Sequence, residues 1–142
     1  FEALAVDPVL RRHLVLFSAH RQDPGDPVAM SLCVRSDDQL WGRYWGSDAE
    51  IDCLHFEVCY YAPIAWAIAN GIRHFDPGAG GSHKRRRGFV AQPRVSLHRW
   101  SDPRFAAILH QWLPGANAEM AEAMAAMNAE LPFTAAYDPP HA

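Results

Sequence analysis

The chain contains no apolar run approaching the length of a membrane helix, and no signal-peptide pattern is visible. It has no internal repeat and no long low-complexity linker. Cysteine is scarce and unpaired. Cys33, Cys53 and Cys59 are odd in number and form no Cys-x-x-Cys motif, which fits reduced thiols filling a core in a cytoplasmic protein. The first residue is Phe1 rather than Met. This predicts a fragment or processed product, with room for a targeting signal in a missing N-terminal part. Charge is thin as well, at 20% of residues. Between residues 54 and 69, Glu57 is the single Asp, Glu, Lys or Arg. What is present is a hydrophobic fraction of 49% over 142 residues, enough for one domain with a core.

The net charge is -3, yet four of the thirteen Lys and Arg residues sit together at Lys84, Arg85, Arg86 and Arg87. They follow Gly78, Gly80 and Gly81 in a loop running over residues 76–93. Glycines permit tight turns and close backbone approach. Successive free N–H groups beside clustered cations suit a phosphate or another anion. A charge run is equally well a solvated surface loop.

Residues 1–10 read as a short helix. Residues 13–20, 27–34 and 40–45 have strand composition and are separated by turn signals at Asp23-Pro24-Gly25-Asp26 and Asp37-Asp38, which predicts an antiparallel meander. Residues 54–70 change to helical period, with Pro63 inside and Gly71 as the stop. A helix so apolar all round predicts cover from the sheet on one side and from a second domain or subunit on the other. Residues 72–75 and 95–100 read as further strands. Asp102-Pro103 opens a helix that Pro114-Gly115 is expected to break, and a Met-rich second helix follows, its stripe read as core packing. Residues 134–142 read as a loose tail. The fold class is therefore α/β (α+β): a mixed, mostly antiparallel sheet flanked by helices, in the element order of a GNAT-type acyltransferase core.

The segment Leu54-His55-Phe56-Glu57-Val58-Cys59-Tyr60-Tyr61, then Ala65-Trp66-Ala67-Ile68 and Gly71, Phe75-Asp76-Pro77-Gly78-Ala79, and His83-Lys84 through Gly88-Phe89 resembles the Fem-like family of peptidoglycan biosynthesis/recognition proteins, predicted bacterial N-acyltransferases. Ser96-Leu97-His98 and Trp100 fit too. Members have two GNAT-like halves, and this chain resembles the C-terminal one. The resemblance implies transfer of an amino acid from aminoacyl-tRNA to the amine of a peptidoglycan precursor. It implies no tightly bound cofactor, a possible tRNA contact, and a missing N-terminal domain or a homodimer partner. The chain departs from many members in carrying Gly80 and Ser82 where they have Gln and Glu, and Ala62 where they often have Gln.

Acyl transfer to an amine requires deprotonation of the amine, stabilisation of the oxyanion and a grip on the anionic carrier. Lys84 is the candidate for the oxyanion or a nearby phosphate, with N–H groups from Gly78 to Gly81. Arg86 and Arg87 are candidates for carrier phosphates. His55, Glu57 or His83 would relay the proton. Glu57 reads alternatively as a carboxylate that orders a loop. No metal is expected. His55-x-Glu57 lacks the Pro-Cys-x-x-Cys of a zinc deaminase, and residues two apart on a helix point about 200° apart. Acyl-CoA is the second donor: Arg85-Arg86-Arg87-Gly88-Phe89-Val90 lacks the final small residue of a pyrophosphate loop, and Pro93 blocks the helix that should follow. A third reading is a non-catalytic phosphate- or nucleic-acid-binding module, for which Phe89 is the one aromatic close to the basic run.

Overall fold

A computed structural model describes residues 2–21 and 25–132. Asp23 and Pro24 of the expected turn, and the expected tail at 134–142, lie outside the described residues. The chain forms two compact units, Phe1–Gly80 and Gly81–Ala142.

The first unit begins with α1 (Glu2–Val6) and α2 (Pro8–Arg11). Asp7 separates them. Its carboxylate accepts the N–H groups of Val9 and Leu10 at 2.8 and 3.0 Å. Pro8 takes the first helical position, where no N–H is needed. The bonds from Leu10 and then Val9 hold the Asp7 carboxyl below its ordinary range.

Then β1 (Leu14–Ala19), β2 (Ala29–Arg35) and β3 (Gln39–Ser47) form an antiparallel meander, and β4 (His74–Asp76) joins β3 in parallel. The order is β1-β2-β3-β4. This is the mixed, mostly antiparallel sheet with helices that the pattern implies. Its core is Cys33, Leu40, Ala67 and Ile72, with Val15, Phe17, Trp66 and Phe75 packed against it. Phe17 meets Trp66 edge to face at 6.1 Å, and the Arg35 guanidinium lies 5.5 Å from the Trp66 ring centre.

The pairing of β3 with β2 contains a bulge. Cys33 pairs with Gly42 and Leu32 with Tyr44, so Arg43 is an extra residue opposite β2. Side chains alternate along a strand, so one inserted residue exchanges the faces beyond it. Leu40 lies opposite Arg35 in the core, and Trp45 lies opposite the buried Ser31. Without the bulge, Trp45 would project from the other face. The bulge also sits beside a close backbone crossing: a Cβ at Gly42 would stand 3.4 Å from the backbone of Pro77.

The apolar stretch after β3 is helical but not uniform. It comprises α3 (Leu54–Phe56), a π-helical turn (Glu57–Tyr61) and α4 (Ala62–Ala69). In the π-turn the Ala62 N–H reaches the Glu57 carbonyl, five residues back. Val58, Tyr60, Pro63 and Ala67 are buried, whereas Tyr61, Ala65 and Ile68 are exposed. Cys53, just before the helix, holds a left-handed φ of 63°.

The second unit contains a 3-10 helix (Ser82–Arg87), an extended segment and α5 (Pro103–Ala129). Three expectations fail in this unit. Residues 95–100 form no strand: Val95 and Leu97 are 88% and 94% exposed and lie in no ladder, so their alternation has no partner to act upon. Pro114 does not divide α5, which continues for 27 residues. Pro114 removes the N–H that would serve the His110 carbonyl, but both residues are exposed, so water can serve it instead. The alanine-rich sequence sustains the rest. The Met stripe is not core either. Met120 is 59% exposed and α5 buries no residue, because one helix and extended chain are too little to enclose it.

Asp102 caps α5 by accepting the Arg104 N–H at 2.8 Å. The Arg104 guanidinium and then this N–H lower its pKa. Trp100 covers the start of the helix, stacked on His98 and edge-on to Phe105.

Candidate functional site

The sequence-predicted residues divide between the units. His55, Glu57, Gly78 and Gly80 belong to the first, and Gly81, His83, Lys84, Arg86 and Arg87 to the second.

In the first unit, Asp76 ends β4 and shapes the turn after it. Its carboxylate accepts the Gly78 N–H at 2.9 Å, so that N–H is taken within the loop. Gly78 and Gly80 hold φ of 86° and 73°, conformations that favour glycine. His55 lies in a nest of rings: Trp45 at 4.7 Å, Tyr60 at 5.4 Å and Phe56 at 5.5 Å between centroids. Glu57 is exposed on the π-turn.

In the second unit the basic run is ordered. It is a single 3-10 helix opened by Gly81 and closed by Gly88, with φ of 86° and 82°. Side chains three apart eclipse in a 3-10 helix. The run therefore sorts into three rows: His83 with Arg86, Lys84 with Arg87, and Arg85 with Ser82. Each row is used differently. Arg85 pairs with Glu130 at 3.1 Å. Arg87 donates from Nη1 to the His83 carbonyl at 2.8 Å and is half-buried, as is Lys84. Arg86 is exposed.

Partial desolvation, then the charges of Lys84 and Arg87, lower the pKa of His83. Its imidazole is therefore biased toward the neutral form, which can accept a proton. Gly81 is favoured by its φ, and a Cβ there would stand 2.5 Å from His83 Cε1, so the imidazole would have to move aside.

Asn128 was not visible as a contributor in the sequence. Its amide takes the Ala91 N–H at 2.8 Å and donates to the Ala91 carbonyl at 2.9 Å, as a neighbouring strand would. With Glu130 on Arg85, it ties the chain on both sides of Gly88 to the end of α5. A lone Asn in an alanine-rich helix gives no sequence signal of this. The Asp-Pro-Gly run signals the turn that Asp76 shapes, whereas nothing in the sequence marks Ser31 as an anchor for the helix.

Among the described residues no group of three or more His, Cys, Asp or Glu comes together as metal ligands would, and no helix is long and apolar enough to cross a membrane. Cys33 is buried, and burial with Cys59 nearby pushes its thiol up to about 12, the reverse of a nucleophile.

A basic 3-10 turn bounded by glycines of positive φ, with a histidine of lowered pKa, belongs to a protein of mixed α/β build. Residues 1–135 match the FemAB-like family, described as peptidoglycan biosynthesis/recognition. The chain belongs to that family. No curated protein and no solved structure matches it.

Proposed function

We propose that the protein is an N-acyltransferase of peptidoglycan biosynthesis that moves an aminoacyl group from aminoacyl-tRNA to an amine of a wall precursor. The observation that carries this reading is the 3-10 turn, where Lys84 and Arg87 share one row beside a histidine of lowered pKa. Family membership supplies the wall context.

The chemistry rests on these groups. The neutral acceptor amine attacks the ester carbonyl carbon and a C–N bond forms. His83 takes the amine proton. The carbonyl oxygen becomes an oxyanion, and Lys84 meets it or the adjacent phosphate. The C–O bond to the ribose then breaks, and His83 returns the proton to the leaving oxygen. Arg86, exposed and in the His83 row, holds carrier phosphate, with Arg87 beside Lys84. His55 and Glu57 are the first unit's candidates for moving a proton.

The test is transfer of a labelled amino acid from charged tRNA to a precursor bearing a free amine, measured with the full-length enzyme. Lys84→Ala should lower kcat and kcat/KM together by about 10²–10³-fold if the lysine acts in the transition state. A folded Lys84→Ala enzyme with both constants normal would remove the turn from the reaction.

A further inference from the structure

We infer that Ser31 and Pro63 are positioning residues for His55, acting through the π-turn, and that Tyr60 is the residue this turn seats against it. In a regular α-helix residues 55 and 60 would lie roughly 140° apart around the axis. Their rings could not meet. Here they do, edge to face at 5.4 Å, because the helix widens where its hydrogen bond closes over five residues rather than four.

The reason the turn is stable lies in one carbonyl. The Glu57 carbonyl is served by Ala62, five residues on. The matching donor for the Val58 carbonyl would be residue 63, and Pro63 has no N–H. The Ser31 hydroxyl supplies the bond instead: it is buried at 4% exposure and donates to the Val58 carbonyl at 2.7 Å. A buried carbonyl without a donor is costly, so the serine and the proline act as a matched pair.

The same β2 residue also sets the other side of the histidine. Ser31 lies opposite Trp45 in the ladder, and the Trp45 ring lies tilted against His55 with 4.7 Å between centroids. His55 is thus held between a strand residue and a π-turn residue that share one anchor. The use of a fixed imidazole rests on the proposed acyl transfer; the positioning does not, and its test needs no substrate.

The full chain labelled with 13C-histidine gives a His55 Cε1–H signal displaced by the neighbouring rings. Tyr60→Leu assigns the tyrosine's share of that displacement. Ser31→Ala should move the signal toward that of a solvent-exposed histidine. Adding Pro63→Ala restores an N–H to the helix, and the Ser31→Ala/Pro63→Ala protein should return the signal to its original position. An unmoved signal in folded Ser31→Ala overturns the inference, as does a double variant no different from the single one. If Ser31→Ala does not fold, the double variant decides: folding with the original signal upholds the pairing, while a displaced signal or failure to fold overturns it. Loss of transfer activity with these signals intact would count against the catalytic reading alone.

Discussion

Asn128→Asp is the change that most directly tests how the basic turn is held. Asn128 makes two hydrogen bonds to one residue, at 2.8 and 2.9 Å, in a half-buried setting. Aspartate keeps the shape and the acceptor but loses the donor. At neutral pH its second oxygen would face the Ala91 carbonyl, acceptor against acceptor. Each intact bond contributes about 0.5–1.5 kcal/mol net, and a carbonyl stripped of its donor costs about 1–3 kcal/mol. Asn128→Ala, losing both bonds, should destabilise by about 1–3 kcal/mol, and Asn128→Asp by a similar amount at pH 7.

The aspartate should differ from the alanine in its pH dependence. Protonated, it can donate to the Ala91 carbonyl again, so folding favours the neutral acid and raises its pKa. A group bound to its proton more tightly in the folded state stabilises at low pH, and that contribution is lost as pH rises through the folded pKa. The deficit of Asn128→Asp against the native chain should therefore shrink toward pH 4, while that of Asn128→Ala should not follow this titration. Urea unfolding at several pH values measures the difference, and exchange of the Ala91 amide reads it locally. A loss below about 0.3 kcal/mol in both variants, or an Asp deficit that ignores pH, would refute the clamp.

Three further outcomes are expected. Because Lys84 is one cause of the lowered His83 pKa, Lys84→Ala should raise that pKa toward the ordinary histidine value in an NMR titration; an unchanged or lower value would contradict the assigned cause. The stability that His83 contributes is complete above the unfolded histidine pKa of about 6.5 and is lost as pH falls through its folded value, a slope that His83→Gln should remove. Among the thiols, Cys53 is exposed and should react with an aromatic disulfide reagent in the native chain, whereas Cys33, buried and raised to about 12, should react only on unfolding; rapid native labelling of Cys33 would contradict its burial.

The meander was legible because its period reflects burial, and Leu40 and Cys33 are in fact enclosed; the helix was legible from its lack of charge rather than from its faces, since Tyr61, Ala65 and Ile68 are exposed. Period alone misled at residues 95–100, where alternation of Val95 and Leu97 meets no partner strand. The Pro-Gly breaker signal misled at Pro114, whose disruption of the helix falls on an exposed carbonyl. Pro63 signalled an irregular helix correctly, but its outcome depended on Ser31, thirty-two positions earlier. No local reading contains such a pairing. At the site, the clustering of His83 to Arg87 was plain in the sequence. The division of labour among them was not, because it arises from a three-residue turn and from Glu130, far along the chain.

The parallel attachment of β4 has a consequence for the order in which the first unit assembles. The meander closes through short connections, whereas β4 can pair with β3 only after the whole helical segment has been brought round. Contacts distant in sequence repay their loop-closure entropy late. With three residues in its ladder, β4 also has little to hold it once made. The turn at Asp76 and Gly78 hangs directly from its end. It should therefore be among the last parts of this unit to reach native structure and among the first to open, with its amides exchanging well below the global unfolding energy.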